Sequence, residues 1–485
     1  MRYLARSVAA GGFLLLSGCL VGPRYRRPVV TSPPVSRGQA AAESASLADL
    51  PWWDVFRNEA LRDLVKTALA NNNDLRLAAQ RVEQARQYRV QTRSQFFPDV
   101  GYQAGISTGK NESLGTPAPY IGAQQGTFAL GIGAAWEADV WGRIRRLNEY
   151  ALANYLASEQ GRRGVLLSLV SSVARAYFEL LELDLRLEIA HRNVASFEDS
   201  LRIFQERLEA GTASRLDSTR AEAALATTAA AIPELERQIA IQENEIHLLL
   251  GSAPGSIPRQ GTLLEQTLPP EVPAGIPSQL LERRPDVLQA EMAVRAANAQ
   301  IGIATAAFFP KIGLTALLGR MSSPLEDFVS GRNNLWSVAA NTVGPIWEGR
   351  GLRAQKREAV AIWEQTRISY EQTVLAAFRD VSDALITRAK LEAVRQRQMQ
   401  AVQAYQAAVE VSTQRYIAGK SGYFEVLEAQ QQLVPAENAL AQTELDRRLV
   451  IVQLYQALGG GWKLGDAQWS GPSVGPPPPA PAQTP

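Results

Sequence analysis

The sequence predicts a mainly α-helical protein that carries a small membrane β-sheet and was built by internal duplication. Three observations predict this fold class. Motifs in the first half of the chain recur in the second half, each half contains two stretches of period-two alternation, and each contains a long proline-free stretch of coiled-coil spacing. The repeat is far longer than the roughly 20–50 residues of a solenoid unit, so it indicates a duplicated structural unit.

The duplication is visible in short motifs at matching places. Phe96-Phe97-Pro98 recurs 212 residues later as Phe308-Phe309-Pro310. Near the end of each predicted long helix, Arg207-Leu208-Glu209-Ala210-Gly211 recurs 208 residues later as Arg415-Tyr416-Ile417-Ala418-Gly419. The sequence therefore predicts two repeats that share one order of secondary structure. The predicted organisation is a first repeat at 51–250, a Pro/Gly-rich linker at 251–277, a second repeat at 278–462 and a Pro-rich disordered tail at 463–485.

The first repeat changes from helical to strand periodicity and back. Period-two alternation predicts strands at about 99–109 and 126–140, joined by a long loop rich in Gly, Pro and Asn. From about 143 to 210 the chain lacks proline, and its apolar residues are spaced three and four apart as in a coiled-coil seam. One helix of about 100 Å is expected there. A return helix runs to 250, with Pro233 predicted to kink or break it.

The second repeat is predicted to follow the same order. Strands are expected at about 311–319 and 334–343, a long helix at about 351–418 and a return helix to 458. The heptads of this long helix are weaker, because arginines, including Arg395, occupy seam positions.

The N-terminus resembles a bacterial lipoprotein signal. A basic start and a short apolar run precede Leu16-Ser17-Gly18-Cys19, and the run is too short to span a bilayer. The resemblance implies a signal peptide at 1–18, covalent lipid on Cys19 and a lipid-anchored extended segment at 19–50. Leu20 is not an acidic retention residue, which favours the outer membrane. The alternative is an ordinary signal peptide with an incidental cysteine.

Composition argues against several classes of function. The charge is nearly balanced, with 50 Lys+Arg against 48 Asp+Glu, so nothing favours binding to nucleic acid. Two histidines, His191 and His247, and one cysteine leave no all-protein zinc cluster and no intrachain disulfide. The sequence has no nucleophile-elbow glycine pattern and no phosphate loop, so no cofactor and no enzymatic activity are predicted. A hydrolase carboxylate pair is not ruled out by sequence.

The predicted strands indicate a membrane channel. After the signal, no 18 consecutive residues are apolar, so no transmembrane helix is predicted. Strands can cross a membrane only in a closed barrel. Bacterial barrels need about eight strands or more, whereas one chain supplies four candidates. Several chains must therefore share a barrel, and three of them would supply twelve strands.

A family resemblance covers nearly the whole mature chain. The sequence resembles the outer membrane factors of tripartite efflux pumps, the TolC and OprM-like family, and within it the NodT-like lipoprotein subgroup. The motifs that carry the resemblance are Cys19-Leu20-Val21-Gly22-Pro23, Trp52-Trp53, Asn71-Asn72-Asn73-Asp74-Leu75, Phe96-Phe97-Pro98, Trp136-Glu137-Ala138-Asp139-Val140-Trp141-Gly142-Arg143, Arg283-Arg284-Pro285-Asp286-Val287 and Ala457-Leu458-Gly459-Gly460-Gly461-Trp462.

The resemblance implies a specific architecture and set of partners. It implies a homotrimer whose 12-stranded outer-membrane β-barrel continues into a long α-helical coiled-coil barrel in the periplasm. Such a trimer is a passive exit duct for substrates delivered by a periplasmic adaptor and an inner-membrane pump, most simply one of the RND type. Two alternatives remain open: the duct of a type I secretion system, and a structural periplasmic coiled-coil lipoprotein. The latter would not explain paired period-two segments in both repeats.

The resemblance also implies a gate just after the tip of the second repeat. Phe424 falls on a hydrophobic constriction, and Glu425 and Glu428 fall on acidic ring positions that favour cations. Relatives place arginines in this network where this chain has Ser421 and Gln431. The alternative is that both glutamates are solvated positions on an ordinary helix face.

Two further features belong to the predicted tips. Tyr416 and Asp217 fall on positions that link neighbouring tip helices through a hydrogen bond and hold the gate shut. Gly211 and Gly419 are predicted to make the turns that end the long helices and to face the adaptor. Elsewhere, Trp336 is predicted to be either an anchor at the membrane interface or part of the packing between sheet and helices.

Overall fold

The structure is a computed structural model of the 485-residue chain. It describes residues 20–38, 46–109, 125–212, 214–267, 275–322, 325–331, 333–465 and 468–469. The predicted lipid attachment at Cys19, the predicted signal peptide, the loop at 110–124 and the tail from 470 lie outside the described residues.

Helices make up most of the described chain. Two of them are 67 residues long and contain no proline, as the spacing of their apolar residues leads one to expect. The helices are α1 (Trp52–Val55), α2 (Glu59–Asn71), α3 (Asn73–Ser94), α4 (Arg143–Glu209), α5 (Arg215–Ala229), α6 (Ala231–Leu250), α7 (Leu280–Arg283), α8 (Pro285–Ala306), α9 (Leu325–Ser330), α10 (Gly351–Ile417) and α11 (Tyr423–Ala457).

One antiparallel sheet contains the four described strands. They are β1 (Asp99–Gly109), β2 (Gln125–Ala138), β3 (Lys311–Ser322) and β4 (Asn334–Val343), in the order β1-β2-β3-β4. Each repeat supplies one hairpin, and the β2–β3 pairing joins the two repeats. Relative to the sequence prediction, β2 ends two residues earlier and β3 extends three residues further.

The chain forms two compact units that do not coincide with the two repeats. The described residues of the first unit fall within 1–29, 81–159 and 289–371, and they include the sheet. The described residues of the second unit fall within 30–80, 160–288 and 372–485. Each unit takes residues from both repeats, which is why a repeat boundary in the sequence does not mark a boundary between compact units.

The larger hydrophobic core lies in the second unit. There the segment around α1 and α2 packs against the middle of α4 and the last turns of α11. The Trp52 indole is buried and donates a hydrogen bond of 2.9 Å to the Trp469 carbonyl. Other members of this core are Val55, Leu61, Val65, Val170, Val173, Tyr177, Leu180, Val452, Leu454 and Tyr455.

Two prolines in the return helices behave differently. The return segment of the first repeat breaks at Ala230, which is the C-cap of α5 and the N-cap of α6. Pro233 then lies in the first turn of α6, where a missing backbone N–H leaves no intrahelical bond unmade. In contrast, α11 continues through Pro435 as one helix. The predicted break at Pro233 therefore occurs three residues before the proline itself.

The first residues after Cys19 are firmly attached to the first unit. Arg146 of α4 is 2% exposed and donates hydrogen bonds to the carbonyl oxygens of Val21 (3.0 Å) and Gly22 (3.1 Å). Gly22 has a φ of 91°, and a Cβ there would lie 2.5 Å from the Cα of Gly302 in α8. Only glycine fits this approach of two backbones. This part of the predicted extended segment is held by specific contacts.

One described helix, α4, is long enough and over one stretch apolar enough to cross a membrane by composition. About two thirds of that stretch is buried inside the fold. The apolar residues of α4 are therefore largely used in the chain's own core.

Candidate functional site

One face of the sheet is apolar across all four strands. Tyr102 of β1 pairs with Ile132 of β2, Ile132 with Leu318 of β3, and Leu318 with Trp336 of β4. Each of these side chains is more than half exposed. Because side chains two positions apart share a face, Val100, Ile106, Leu130 and Val338 extend the same surface. We call this surface the apolar sheet face, and no described part of the chain covers the side chains named here.

The opposite face carries small and polar residues. The adjacent row runs Gly101, Gly133, Leu317 and Ser337 across the strands. The Leu317 side chain lies over glycines of β2, since a Cβ on Gly131 would meet its Cδ1 at 3.2 Å. An alternation of apolar and small or polar faces is typical of strands with lipid on one side and a water-filled interior on the other.

Both outer strands of the sheet have an open edge. Among the described strands, β1 pairs only with β2 and β4 pairs only with β3. Unpaired backbone groups of an edge strand cannot be satisfied by lipid. The sheet is therefore complete in a membrane only if strands of other chains pair with β1 and β4.

Some aromatic residues in and near the sheet are exposed, and others pack against the chain. Trp336 is 77% exposed and Trp347 is 86% exposed, so neither packs against the described chain. This exposure favours the interfacial-anchor interpretation of Trp336 over the packing interpretation. In contrast, Trp141 stacks on Phe309 at 4.6 Å and donates a hydrogen bond to the Pro310 carbonyl, which gives the duplicated Phe-Phe-Pro motif a structural role.

The two long helices end in turns of the same geometry. Gly211 and Gly419 have φ values of 70° and 67°, in the left-handed region that glycine adopts without strain. The amide of Thr212 donates to the Arg207 carbonyl, and that of Lys420 to the Arg415 carbonyl, each at 2.8 Å. A Cβ on either glycine would meet no atom within 4 Å, so both turns are open to a partner.

The predicted gate residues lie on one exposed face of α11. Phe424 is 65% exposed, and Glu425 and Glu428 are exposed beside it. Tyr423 and Val426 on the opposite side of the helix are buried. The separation follows from the helical period, which places residues three and four apart on one face. The structure thus places the three predicted residues together.

An aromatic cluster holds the two hairpins together behind that face. Phe204 of α4 contacts Tyr416 of α10 at 4.9 Å and Tyr423 of α11 at 4.0 Å between ring centroids. The Arg207 guanidinium lies 4.6 Å from the Tyr416 ring centre and donates to the carbonyls of Tyr416 (2.9 Å) and Ile417 (2.6 Å). Sequence reasoning missed Phe204, Arg207 and Tyr423 as tip residues, although Arg207 was visible in the duplicated motif.

Asp217 has a local partner within the chain. Its carboxylate accepts a hydrogen bond of 2.9 Å from the Ser214 hydroxyl at the start of α5. Within the described tips, no hydrogen bond joins Asp217 to Tyr416. Burial, together with the nearby Asp217 charge and Tyr416, raises the pKa of Tyr423 to about 12. The predicted link between Tyr416 and Asp217 stays a prediction.

Two buried glutamates of α11 pair with partly exposed arginines of neighbouring helices. Glu437 is 5% exposed, and its carboxylate accepts from Arg192 at 2.7 Å and Asn193 at 3.0 Å, both on α4. Glu444 is likewise buried and accepts from Arg395 of α10 and from Arg448. The arginine that weakened the predicted heptads is thus an ion-pair partner, which periodicity alone does not reveal.

An open groove runs along the predicted gate helix. Its volume is about 690 Å³, and it lies between α4, α5, α6 and α11. Its walls are largely apolar, and Phe424 and Gln431 contribute from the exposed face of α11. Other lining residues are Ile189, Phe197, Ala224, Leu235, Leu427 and Val434.

Comparisons with known proteins agree with this geometry. The family model of the outer membrane efflux protein matches residues 64–252 and 276–460. The Pseudomonas putida "Solvent efflux pump outer membrane protein SrpC" is 36% identical over 469 residues, covering 95% of this chain and 99% of that protein. The Escherichia coli "Cation efflux system protein CusC" is 33% identical over 462 residues, covering 93% and 97%.

Solved structures are similar as well. The outer-membrane channel OprN matches with a TM-score of 0.86 and 31% identity, covering 92% of this chain and 100% of that one. The open state of the Neisseria gonorrhoeae MtrE outer membrane channel matches with a TM-score of 0.81 and 29% identity, covering 92% and 99%. Both solved structures are outer-membrane channels, and their fold is the TolC-like fold.

Proposed function

The chain belongs to the outer membrane efflux protein family, and from this premise we propose that three copies of it form the gated exit duct of a tripartite efflux pump. The protein is an efflux channel of the Gram-negative outer membrane with a large periplasmic part. The proposal adds the assembly of this chain, its partners and its gate.

The sheet is the single observation that carries the proposal. It has one apolar face, one face of small and polar residues, and an open edge on each outer strand. Four strands are too few to close around an interior, since barrels need about eight or more. Three copies placed edge to edge pair every open edge and close the sheet. The apolar face then meets lipid, and the small residues line a passage.

The partners follow from the place of a duct in a pump. A periplasmic adaptor docks at the open turns of Gly211 and Gly419, and an inner-membrane pump of the RND type delivers the substrate. The duct itself is passive, and the substrate is chosen by the pump. Covalent lipid on Cys19 adds a second attachment to the outer membrane, next to residues that Arg146 fixes on the first unit.

The gate lies on the exposed face of α11. With three copies around one axis, Phe424 narrows the passage and Glu425 and Glu428 form two rings of carboxylates. Rings of like charge favour counter-ions of the opposite sign, so the closed duct should prefer cations. The exposure of all three side chains in the single chain supports this role.

Ion selectivity in planar bilayers tests the gate. The double variant Glu425→Ala with Glu428→Ala should bring the cation-to-anion permeability ratio close to one, because the ring charges are removed. Glu206→Ala, which changes an exposed carboxylate on α4, is the matched control and should leave the ratio unchanged. A double variant with the same cation preference as the unmodified protein would refute the acidic rings.

A further inference from the structure

The two hairpin tips are equivalent in their backbone hydrogen bonds. In the first tip, the amides of Ala210 and Gly211 donate to the carbonyls of Glu206 and Leu208, each at 3.0 Å. In the second tip, the counterparts 208 residues later, Ala418 and Gly419, donate in the same way, also at 3.0 Å. The tips of the two repeats have therefore kept the same backbone geometry since the duplication.

Among the described residues of the two tips, only those of the second include helix-end carbonyls that an arginine of the same chain caps. The carbonyls of Tyr416 and Ile417 at the end of α10 accept from Arg207 of the first tip. Terminal carbonyls of a helix lack the i+4 amide donor and carry partial negative charge, so a guanidinium is a favourable partner. The turn amides of Gly211 and Gly419 occupy only one of the two lone pairs on the carbonyls of Leu208 and Tyr416. The counterparts in the first tip are Leu208 and Glu209. Among the residues that the structure describes, no side chain donates to their carbonyl oxygens.

The counterpart of Arg207 has no comparable partner in the part of the chain that the structure describes. Arg415 stands at the same place in the second tip, and its side chain is 53% exposed. Its guanidinium contact with Glu425 is 3.8 Å long, and the Glu425 side chain is 52% exposed. An exposed ion pair of that length contributes little. Arg415 is thus free to reach another acceptor without a large loss.

We propose that Arg415 caps the end of α4 in the next copy of this chain, through the carbonyls of Leu208 and Glu209. In a closed ring of three chains, first and second tips alternate. The contact between a first tip and the second tip of the same chain is the one that Arg207 makes. The contact between a second tip and the first tip of the neighbouring chain is the equivalent one, and Arg415 makes it. The inference rests on the trimer of the proposed function.

The two caps differ in two respects that bear on opening. Arg207 also stacks on the Tyr416 ring, whereas the residue at the equivalent place in the first tip is Leu208, which offers no aromatic face. In addition, Glu425 of its own chain competes for Arg415. The cap between chains is therefore the weaker one, so the tips separate between chains before they separate within a chain.

Thiol cross-linking distinguishes a contact between chains from one within a chain. The variant with Arg415→Cys and Glu209→Cys is treated with a short bis-maleimide in the assembled protein. It is then fully unfolded in urea, so that only covalently linked chains stay together, and run on a denaturing gel. The proposal predicts products of two and three chain masses. The matched pair, Arg207→Cys with Ile417→Cys, places thiols at the observed cap and should leave the product at one chain mass. Arg415→Cys alone sets the background.

The result separates this inference from the proposed function. A product that stays at one chain mass for the 415–209 pair, in protein that native mass spectrometry shows to be trimeric, overturns the cap and leaves the duct intact. Protein that is a single chain before cross-linking overturns the trimer instead, and the cap with it.

Discussion

Leu318 and Leu317 offer a matched test of the two sheet faces. They are consecutive leucines of β3 whose side chains point to opposite sides of the sheet. Leu318 is 66% exposed and lies between Ile132 and Trp336 on the apolar sheet face. Leu317 lies on the face of small and polar residues, opposite Ser337. Replacing either leucine with arginine introduces the same charge at almost the same depth.

The expected effects differ because the arginine meets lipid in Leu318→Arg and water in Leu317→Arg. An arginine on the lipid face costs about 2–4 kcal/mol at the middle of the bilayer and about 0–1 kcal/mol near the interfaces. Leu318 pairs with Trp336 and stands two residues from the native Arg320 on the same face, so it lies between these depths and the expected cost is about 1–2 kcal/mol. That energy lowers the equilibrium for insertion of each subunit by roughly 5- to 30-fold. Leu317→Arg turns toward the aqueous side and should cost about 1 kcal/mol or less, since it loses only the contact of the leucine with the glycines of β2.

Outer-membrane yield of folded trimer is the assay. Each variant is expressed at the same level, outer membranes are isolated, and the heat-resistant trimer is quantified on a gel. Leu318→Arg should reduce the trimer strongly, whereas Leu317→Arg should stay near the unmodified level. Equal yields for the two variants, or the reverse order, would show that the apolar sheet face does not contact lipid.

Two further predictions concern the helices. Gly302→Ala would place a Cβ 2.7 Å from the Arg146 side chain, so residues 20–28 should become sensitive to limited proteolysis, and unchanged digestion would argue against their attachment. Burial raises the pKa of the Glu182 carboxyl above its ordinary value of 4.5. Between that value and the raised pKa, the folded chain binds a proton that the unfolded chain does not bind. The free energy of unfolding therefore falls as pH rises through this window. Glu182→Gln should therefore melt at a higher temperature than the unmodified protein at pH 8 but not at pH 4, and an equal difference at both would contradict this.

The fold class was predictable because it depends on local periodicity. The comparisons confirm the family resemblance and the TolC-like fold. Alternation of period two in 99–109 and 334–343 coincides with β1 and β4 as the structure has them. Such patterns record which side of a strand or helix is apolar, and this requires no knowledge of distant contacts.

The tip contacts were not predictable for the opposite reason. The capping of Tyr416 and Ile417 by Arg207 joins residues more than 200 positions apart. Periodicity gives the face of a helix but not the identity of the helix against it. The exposed face of Phe424, Glu425 and Glu428 followed from sequence through the resemblance, while the local pairing of Asp217 with Ser214 did not. The gate role of these residues stays a prediction.

Native mass spectrometry of the protein extracted from outer membranes tests the central claim most directly. A sheet with one apolar face and two open edges is complete in a membrane only when identical chains share it. The predicted result is a particle of three chains that dissociates to single chains on unfolding. A membrane-extracted protein that consists of one chain would contradict the account.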